Sequence, residues 1–450
     1  MTPVHATTGS AVPAQTGDFS RDAADLSFGL GRVEDLLARL PAPAERTAAQ
    51  RGEAAAAVDR ARTARRRFLT THAEELHRRL TDDGAMDLRL PELAYRAPDL
   101  VPGLSPTRET MARESALPQA VKEGHEADQG ILFWGLLRGA VCGPRLVEAM
   151  LRPTDRALEL LAEFRRTGSC DLGTVTVDRR EGVAEVTVRN LTYLNSEDNV
   201  LADDLETAVD LVLLDDATHV GVVRGGTMRH PRYAGRRVFS SGINLTHLYN
   251  GRISLVDFLL RRELGYLNKI VRGIRTGPPG ADDGDGAPVR TEKPWVAAVD
   301  AFAIGGGMQL LLVFDHVVAE SEAWMSLPAV QEGIVPGAAN YRLSRIAGHR
   351  LARRIILDGH RVRVTDPEGR LFCDEVVAAD RMNDAVRAAA QRMDSPSVVS
   401  NRRMLNLADE PAEGFRSYLA EFSLEQSRRL YSQDVIDTLE KTWINRSRRG

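Results

Sequence analysis

Hydrophobic residues recur at helical spacing through the first third of the chain. Between residues 44 and 80 the apolar positions lie three, four or eight residues apart, at Ala57, Ala61, Ala64, Phe68, Leu76 and Leu80. This spacing places one apolar stripe along a long helix. Further apolar helices are predicted between residues 131 and 150, with a break at Gly143-Pro144, and at residues 157–164. Residues 20–170 are therefore predicted to form an all-helical domain.

A basic run fills positions between the apolar residues of the long helix. Its members are Arg60, Arg62, Arg65, Arg66 and Arg67. A binding patch is one interpretation, but a solvated helix face or a subunit surface is the more common role of such a run. We therefore expect these arginines to face solvent or another subunit.

The pattern changes near residues 167–170 from helical spacing to the alternation typical of strands. Strands are predicted at residues 174–177, 183–188, 220–223 and 295–299, with a helix at residues 203–214. Strands that alternate with helices favour a mostly parallel sheet covered by helices, which is an α/β layer fold. A second domain is therefore predicted to begin at residue 171.

Two segments are predicted to lie outside the packed domains. Residues 1–19 contain no basic region that leads into an apolar stretch, as a secretory signal would. They are therefore predicted to form a flexible tail. Residues 277–289 are rich in Gly, Pro and Asp and are predicted to form a flexible surface insertion. The insertion lacks the closing glutamate of a calcium loop, so a solvated loop is the preferred interpretation.

Composition narrows the class of protein. Hydrophobic residues make up 43% of the 450 residues and charged residues 27%, and no apolar run reaches the roughly eighteen residues that span a bilayer. A net charge of −4 creates no global field that would favour nucleic acid or an anionic membrane. We expect a soluble, cytoplasmic protein that binds neither.

Metal ligands are sparse in the sequence. Cys142, Cys170 and Cys373 are odd in number and far apart, which argues against disulfides and against a cysteine zinc site. His72 and His77 are five residues apart, whereas a spacing of about four places two imidazoles on one helix face. We therefore expect no metal site.

A glycine-bearing turn carries the first chemical signal. Residues 293–310 run from a strand through Gly305, Gly306 and Gly307 into a helix, so free backbone N–H groups converge where negative charge would be stabilised. A dinucleotide site is disfavoured, because its fingerprint needs a third glycine where Leu310 stands. The structural alternative is that these glycines only let a helix pack close to a strand.

A second turn has the same character. Residues 239–245, Phe-Ser-Ser-Gly-Ile-Asn-Leu, follow a strand region and open a helical segment, which offers another free backbone donor from Ile243. Two such donors together favour a site for a developing oxyanion.

These two turns resemble the oxyanion-hole motifs of the crotonase, or enoyl-CoA hydratase, superfamily. Residues 189–195 resemble its first CoA-contacting loop, and residues 315–321 and 333–337 resemble the segments after the second motif. The resemblance implies a crotonase-like core, a ββα spiral, at residues 171–365 and a helical trimerisation region at residues 366–450. It also implies that the N–H groups of Ile243 and Gly306 stabilise the enolate of a bound acyl-CoA thioester.

The sequence departs from the hydratases at their two glutamates. The matching positions hold Gln309 and Ala329, neither of which can transfer a proton. Hydration of an enoyl-CoA is therefore disfavoured. Glu332 lies three residues further on and is most simply a charged residue beside the turn at Gly333, so neither Glu332 nor Glu197 is assigned as the base.

Within the superfamily, the chain most resembles dioxygenases that act on arylacetyl-CoA and O2 without a metal or organic cofactor. An electron-rich enolate can itself supply electrons to oxygen. The resemblance implies that Glu197, Arg262 and Gln309 hold the ring hydroxyls of the substrate, with Gln309 also serving catalysis. It also places four residues near the CoA arm: Leu191, His230, Ser241 and Gly242.

Structural alternatives exist for these residues. Glu197 could cap a helix that starts near Asp198, and Arg262 could be a cation on the surface. His230 could be a loop residue without a role in binding. Two alternative functions also stay open. One is another crotonase reaction, namely thioester hydrolysis, isomerisation or decarboxylation, and the other is a non-catalytic acyl-CoA-binding scaffold.

The C-terminal helices are predicted to contribute to assembly. Residues 415–446 have the two-sided apolar and basic character expected of packing between subunits. The resemblance implies a homo-oligomer, either a trimer or a hexamer.

Overall fold

The computed structural model describes residues 15–277 and 289–447, and side chains as far as residue 441. Most of the predicted tail, residues 1–14, and nearly all of the predicted insertion, residues 278–288, lie outside the described residues. The cysteines are free thiols.

The first third of the chain is helical, as predicted. Its helices are α1 Phe19–Arg39, α2 Ala48–Leu80, α3 Leu90–Leu100, α4 Arg108–Ser115, α5 Glu126–Arg138, α6 Cys142–Met150 and α7 Asp155–Thr167. The long helix α2 begins at Ala48 because Thr47 and Gln50 form a capping box. The predicted break at Gly143-Pro144 was wrong by a few residues. It lies between α5 and α6, because Pro144 is tolerated in the first turn of α6.

The basic run on α2 does not face solvent as a whole. Arg60 and Arg67 are exposed, as expected. Arg65 is buried, and its Nη1 donates to Oδ1 of Asp128 on α5 over 3.1 Å. The expectation was wrong for Arg65 because this residue follows Ala61 by four positions and so continues the buried stripe. It joins α2 to α5.

The main sheet is mixed and largely parallel, as predicted. Its strands are β1 Ser169–Asp171, β2 Val175–Arg180, β3 Val183–Val188, β4 Val220–Gly225, β7 Trp295–Val299, β9 His316–Glu320 and β12 Glu375–Val377, in the order β1-β2-β3-β4-β7-β9-β12. Pairing is parallel from β3 to β12 and antiparallel at the β1 edge. Every residue of β4 and β7 is buried, as expected for central parallel strands covered on both faces.

Two smaller sheets complete the strands. A three-stranded sheet has the order β11-β10-β8, with β8 Phe302–Ile304, β10 Trp324–Ser326 and β11 Val362–Arg363. A short hairpin pairs β5 Ile274–Arg275 with β6 Arg290–Thr291. Strand β8 leads directly into the first glycine turn, so this sheet fixes where that turn lies.

The remaining helices cover the sheets and form the C-terminal region. They are α8 Asn199–Leu214, α9 Leu245–Tyr249, a π-helical turn Leu255–Leu260, α10 Arg261–Leu264, α11 Tyr266–Arg272, α12 Gly306–Leu311, α13 Ala329–Glu332, α14 Ala339–Leu357, α15 Met382–Met393, α16 Pro396–Asp409, α17 Ala412–Arg429 and α18 Gln433–Ser447. Helix α8 starts four residues before its predicted beginning, because the Asp198 side chain accepts a hydrogen bond from Leu201 N–H and caps it.

Helix α17 packs against α5 through small residues. A Cβ added at Gly130 of α5 would lie 2.5 Å from Cβ of Ser427 and 2.7 Å from the carbonyl oxygen of Ser423, both on α17. The two helices therefore approach with no room for a methyl group at this point. The contact joins the N-terminal helices to the C-terminal region within one chain.

We expect Gly130→Ala to destabilise the protein by about 1–3 kcal/mol, because the added methyl must force two packed helices apart. Urea unfolding followed by circular dichroism measures this change. Gly29→Ala on α1 is the matched control, since a Cβ there meets nothing within 4 Å. Equal unfolding midpoints for the two variants would contradict the close packing of α5 and α17.

Candidate active site

The two glycine turns meet, although more than sixty residues separate them in sequence. Ser240 and Ala303 form a parallel bridge, in which Ile304 N–H donates to the Ser240 carbonyl over 3.0 Å. A Cβ added at Gly305 would lie 3.4 Å from Cα of Gly242. The backbones of the two glycines are therefore in contact, and the next residue of each turn lies beside the same cleft.

Ile243 and Gly306 both line this cleft. Within residues 15–277 and 289–447, neither N–H group donates to another backbone carbonyl. Glu197 N–H instead donates to Gly242 oxygen over 2.7 Å, and Asn244 N–H donates to Glu197 oxygen over 2.8 Å. The bridge between Glu197 and Ile243 thus uses the flanking groups and leaves the Ile243 N–H free. Two free backbone donors at one cleft can stabilise an oxyanion.

The rest of the cleft is mostly apolar. Its empty volume is about 490 Å³, with the open side included. Apolar side chains come from several distant segments, and they are Phe258, Leu259, Leu327, Ile334, Val335 and Phe422. Phe422 belongs to α17, so the C-terminal region contributes to the wall. An apolar lining lowers the local dielectric constant and so strengthens the electrostatic interactions beside it.

A buried charged cluster forms one wall of the cleft. Arg262 Nε donates to Glu197 Oε2 over 2.5 Å, and its Nη2 donates to the Gly306 carbonyl over 2.7 Å. Tyr266 Oη donates to the same Glu197 oxygen over 2.9 Å. Arg262 is only 4% exposed and Glu197 only 2%. Arg262 is therefore not a surface cation. Glu197 is not the cap of α8 either, because Asp198 caps that helix.

Electrostatics fix the protonation states of Arg262 and Tyr266. Burial opposes the charge of Arg262, but Glu197, Tyr266 and Glu263 together outweigh burial and raise the pKa of Arg262. Burial, with the nearby Glu197 charge, raises the pKa of Tyr266 well above its usual value. The guanidinium stays charged and the phenol stays protonated at neutral pH.

Gln309 joins the same cluster. Its Oε1 accepts a hydrogen bond from Arg262 Nη1 over 2.9 Å, and Arg262 Nη1 also binds Glu263 Oε1 over 2.8 Å. None of the hydrogen bonds found in the described chain uses the Gln309 side-chain nitrogen as donor. That nitrogen is therefore available to a bound molecule in the cleft.

Two members of the cluster, Glu263 and Tyr266, were missed by sequence reasoning. Tyr266 follows Arg262 by four residues, and this spacing is the signal that would have placed both on one helix face. The segment is not a regular helix, however. A π-helical turn precedes α10, and Gly265 separates α10 from α11, so no simple helical period identifies the inward face.

The four residues predicted near the CoA arm lie outside the cleft lining. Ser241 Oγ donates to the Tyr193 carbonyl over 3.0 Å, and Gly242 has a positive φ of 85°. Leu191 lies beside Gly226, the residue that follows β4. A Cβ added at Gly226 would be 3.5 Å from Cδ2 of Leu191. His230 is exposed in a loop. Ser241 and Gly242 thus belong to the second glycine turn, whereas Leu191 lies beside Gly226 and His230 follows the end of β4 by five residues.

The described residues offer neither a metal cluster nor a single membrane-spanning helix. No cluster of three or more His, Cys, Asp or Glu side chains there is arranged to hold a metal ion. No single helix among the described residues combines the length and apolar composition needed to cross a bilayer. The segments Glu126–Arg138 and Cys142–Thr167 meet both criteria together, but the chain bends by 110° between them.

Comparisons with known proteins place these features in context. A family model described as enoyl-CoA hydratase/isomerase matches residues 287–426. The chain is 55% identical over 405 residues to the (3,5-dihydroxyphenyl)acetyl-CoA 1,2-dioxygenase of Amycolatopsis orientalis. The aligned region covers 90% of this chain and 92% of that protein. A probable enoyl-CoA hydratase of Rhizobium meliloti (strain 1021) is 26% identical over 249 residues, covering 54% of this chain and 86% of that protein. Among solved structures, Pseudomonas aeruginosa OdaA matches with a TM-score of 0.48 and 22% identity, over 60% of this chain and 98% of that one.

Proposed function

The chain belongs to the enoyl-CoA hydratase/isomerase, or crotonase, superfamily, and we propose that it is a (3,5-dihydroxyphenyl)acetyl-CoA 1,2-dioxygenase. In the proposed reaction, the thioester and O2 give (3,5-dihydroxyphenyl)glyoxylate and CoA. Both oxygen atoms enter the glyoxylate, one hydrogen of the substrate methylene leaves with the CoA thiol, and the other leaves as the proton of the new carboxylic acid. The reaction is thus balanced without an external reductant.

One observation carries the proposal, namely the reach of the similarity along the chain. The match to the dioxygenase extends over 90% of the chain, whereas the match to the probable hydratase extends over 54%. A match of 90% must include much of the N-terminal helical region as well as the crotonase core. The absence of both hydratase glutamates, at Gln309 and Ala329, supports the same choice.

The oxyanion turns supply the chemistry that this reaction needs. Removal of an α-proton moves charge onto the thioester carbonyl oxygen, and two preorganised N–H donors stabilise it without reorganising. Ile243 and Gly306 are the proposed donors. The enolate is electron-rich and can pass electrons to O2 directly, so the proposal includes no metal and no organic cofactor.

The charged wall of the cleft is suited to a dihydroxyphenyl ring. Phenolic hydroxyls both donate and accept hydrogen bonds. Glu197 is the proposed acceptor, Arg262 a donor, and the free side-chain nitrogen of Gln309 a second donor. Leu191, His230, Ser241 and Gly242 are proposed to contact the CoA arm, which would extend past the C-terminal end of β4. A cytoplasmic location, where CoA thioesters are made, is part of the proposal.

We also propose that the chain forms a homo-oligomer, either a trimer or a hexamer. Each subunit would have three regions, at residues 20–170, 171–365 and 366–450.

The apolar face of α17 is covered by α5 of the same chain. Exposed apolar side chains lie instead on α16, at Met404, Leu405 and Leu407. These residues support α16, rather than α17, as the surface that another subunit covers.

The decisive experiment supplies (3,5-dihydroxyphenyl)acetyl-CoA and isotopically labelled O2 to protein that has been treated with a chelator, with no flavin added. We expect O2 uptake, equimolar CoA release, and a glyoxylate that carries label at both incorporated oxygens, as mass spectrometry would show. Restoration of activity only by added iron would contradict the proposal. CoA release at the full rate under anaerobic conditions would instead favour a thioesterase.

A further inference from the structure

Among the described residues that line the cleft, three are acidic, and two of these are committed to ion pairs. Glu197 binds Arg262. Glu263 binds Arg262 and lies 3.5 Å from Arg342 Nη1. The third is Glu332, the last residue of α13. Within the described chain, neither an ion pair nor a hydrogen bond is found for the Glu332 carboxyl group, and burial accounts for its whole pKa shift.

The surroundings of Glu332 favour a chemical role over a structural one. The cleft lining includes the apolar residues Leu327, Ile334, Val335 and Phe422, and its one described cation, Arg262, is bound to the other two lining glutamates. Burial raises the pKa of Glu332 to about 7. An unpaired carboxyl group in an apolar cleft contributes no ion pair to stability, and such groups concentrate at functional sites. At neutral pH this carboxylate is present and is basic enough to accept a proton.

Charged groups on the neighbouring elements have partners of their own. Helices α14 and α18 pack on α13, and α17 reaches the Gly333 turn through Arg429. On α14, Arg342 is paired with Glu410, and Arg345 donates to the Tyr341 carbonyl. On α17, Arg429 donates to the Gly333 carbonyl and is paired with Asp434. On α18, Asp437 accepts a hydrogen bond from Gln433. None of these interactions includes Glu332, so none of these described groups fixes its protonation state.

We propose that Glu332 is the base that removes the α-proton of the thioester bound in this cleft. The proposal rests on the proposed function for the identity of the thioester, but it concerns only the first step. The bond between the α-carbon and its proton breaks, and the proton moves to a Glu332 oxygen. The electron pair forms the carbon–carbon double bond of the enolate, and the carbonyl oxygen takes the charge between the N–H groups of Ile243 and Gly306. O2 is consumed only in a later step.

This role accounts for the missing hydratase glutamates. Gln309 and Ala329 remove the two acid–base groups that serve water addition, whereas a single base suffices to form an enolate. Glu332 follows Ala329 by three residues on α13, which keeps a carboxylate on the same face of that turn.

The test measures proton exchange without oxygen. Full-length protein is incubated anaerobically with (3,5-dihydroxyphenyl)acetyl-CoA in D2O, and the methylene signal is followed by NMR. We expect the wild type to exchange these protons, with a rate that rises with pH to a plateau above about 7, because the base must be ionised. Glu332→Gln is expected to exchange on the order of a hundredfold more slowly and to lose the rise with pH.

Three comparisons keep the test specific. Glu322→Gln changes an exposed glutamate ten residues earlier and is expected to exchange at the wild-type rate. Glu332→Asp keeps a carboxylate and is expected to restore part of the rate together with the rise in pH. Binding of a CoA analogue with a methylene group in place of the thioester sulphur should be unchanged in Glu332→Gln, which separates loss of the base from misfolding.

Two results would overturn the proposal: wild-type exchange in Glu332→Gln, or an unchanged rise with pH in that variant. Failure of the proposed function has a different signature. Exchange that depends on Glu332 in a protein that never consumes O2 would reject the dioxygenase and leave the base in place.

Discussion

Replacement of Gly306 by alanine is expected to lower the turnover rate by about 10²–10³-fold, which is the usual effect of losing one oxyanion donor. A Cβ added at Gly306 would lie against Glu197 Oε1, 2.8 Å from Glu197 Cδ and 3.3 Å from Arg262 Nη2. Glu197 cannot move aside easily, because Arg262 and Tyr266 both hold its carboxylate. The start of α12 must therefore shift, and the Gly306 N–H shifts with it. Initial rates of O2 uptake at saturating thioester measure the effect.

The control for this prediction is Gly52→Ala. Gly52 lies on the exposed face of α2, and a Cβ there meets nothing within 4 Å. The same substitution should leave turnover unchanged and raise helix stability by about 0.5–1 kcal/mol. A Gly306→Ala protein that keeps the wild-type rate would show that the N–H of this residue does not stabilise the enolate.

Replacement of Arg262 by alanine is expected to reduce the free energy of unfolding by about 3–5 kcal/mol, because a buried ion pair loses one partner. Two carboxylates, Glu197 and Glu263, would be left in the interior without their shared cation. The Gly306 carbonyl and Gln309 would also lose a donor. Urea unfolding measures the stability, and O2 uptake should be lost in parallel because the proposed ring site is dismantled.

Two further variants test the physical reason. Arg166→Ala breaks an exposed pair with Glu163, whose side chains are 70% and 59% exposed, and should change stability by no more than about 1 kcal/mol. Adding Glu197→Gln to Arg262→Ala removes one of the stranded charges and should recover part of the loss. A double variant that is less stable than Arg262→Ala would indicate that Glu197 is stabilised by something other than Arg262.

Local patterns in the sequence determined most of the architecture. Helical spacing identified α2, and continuous apolar strands identified β4 and β7, because each pattern reflects the burial of one element on its neighbours. The glycine turns were also visible, because a free N–H after a strand is a property of a few consecutive residues. The errors at Pro144 and at the start of α8 came from the local geometry of helix ends, whereas Arg65 is also held by Asp128 of another helix.

The sequence by itself determined the helical and α/β regions, the two turns that offer backbone donors, and the loss of both hydratase glutamates. Only the tertiary structure decided that Gly242 touches Gly305, that Arg262 is buried between Glu197 and Glu263, and that Glu332 lines the cleft with no partner among the described residues. The physical reason is that a turn depends on neighbouring residues, whereas the charge state and burial of a side chain depend on groups that the fold brings from elsewhere in the chain.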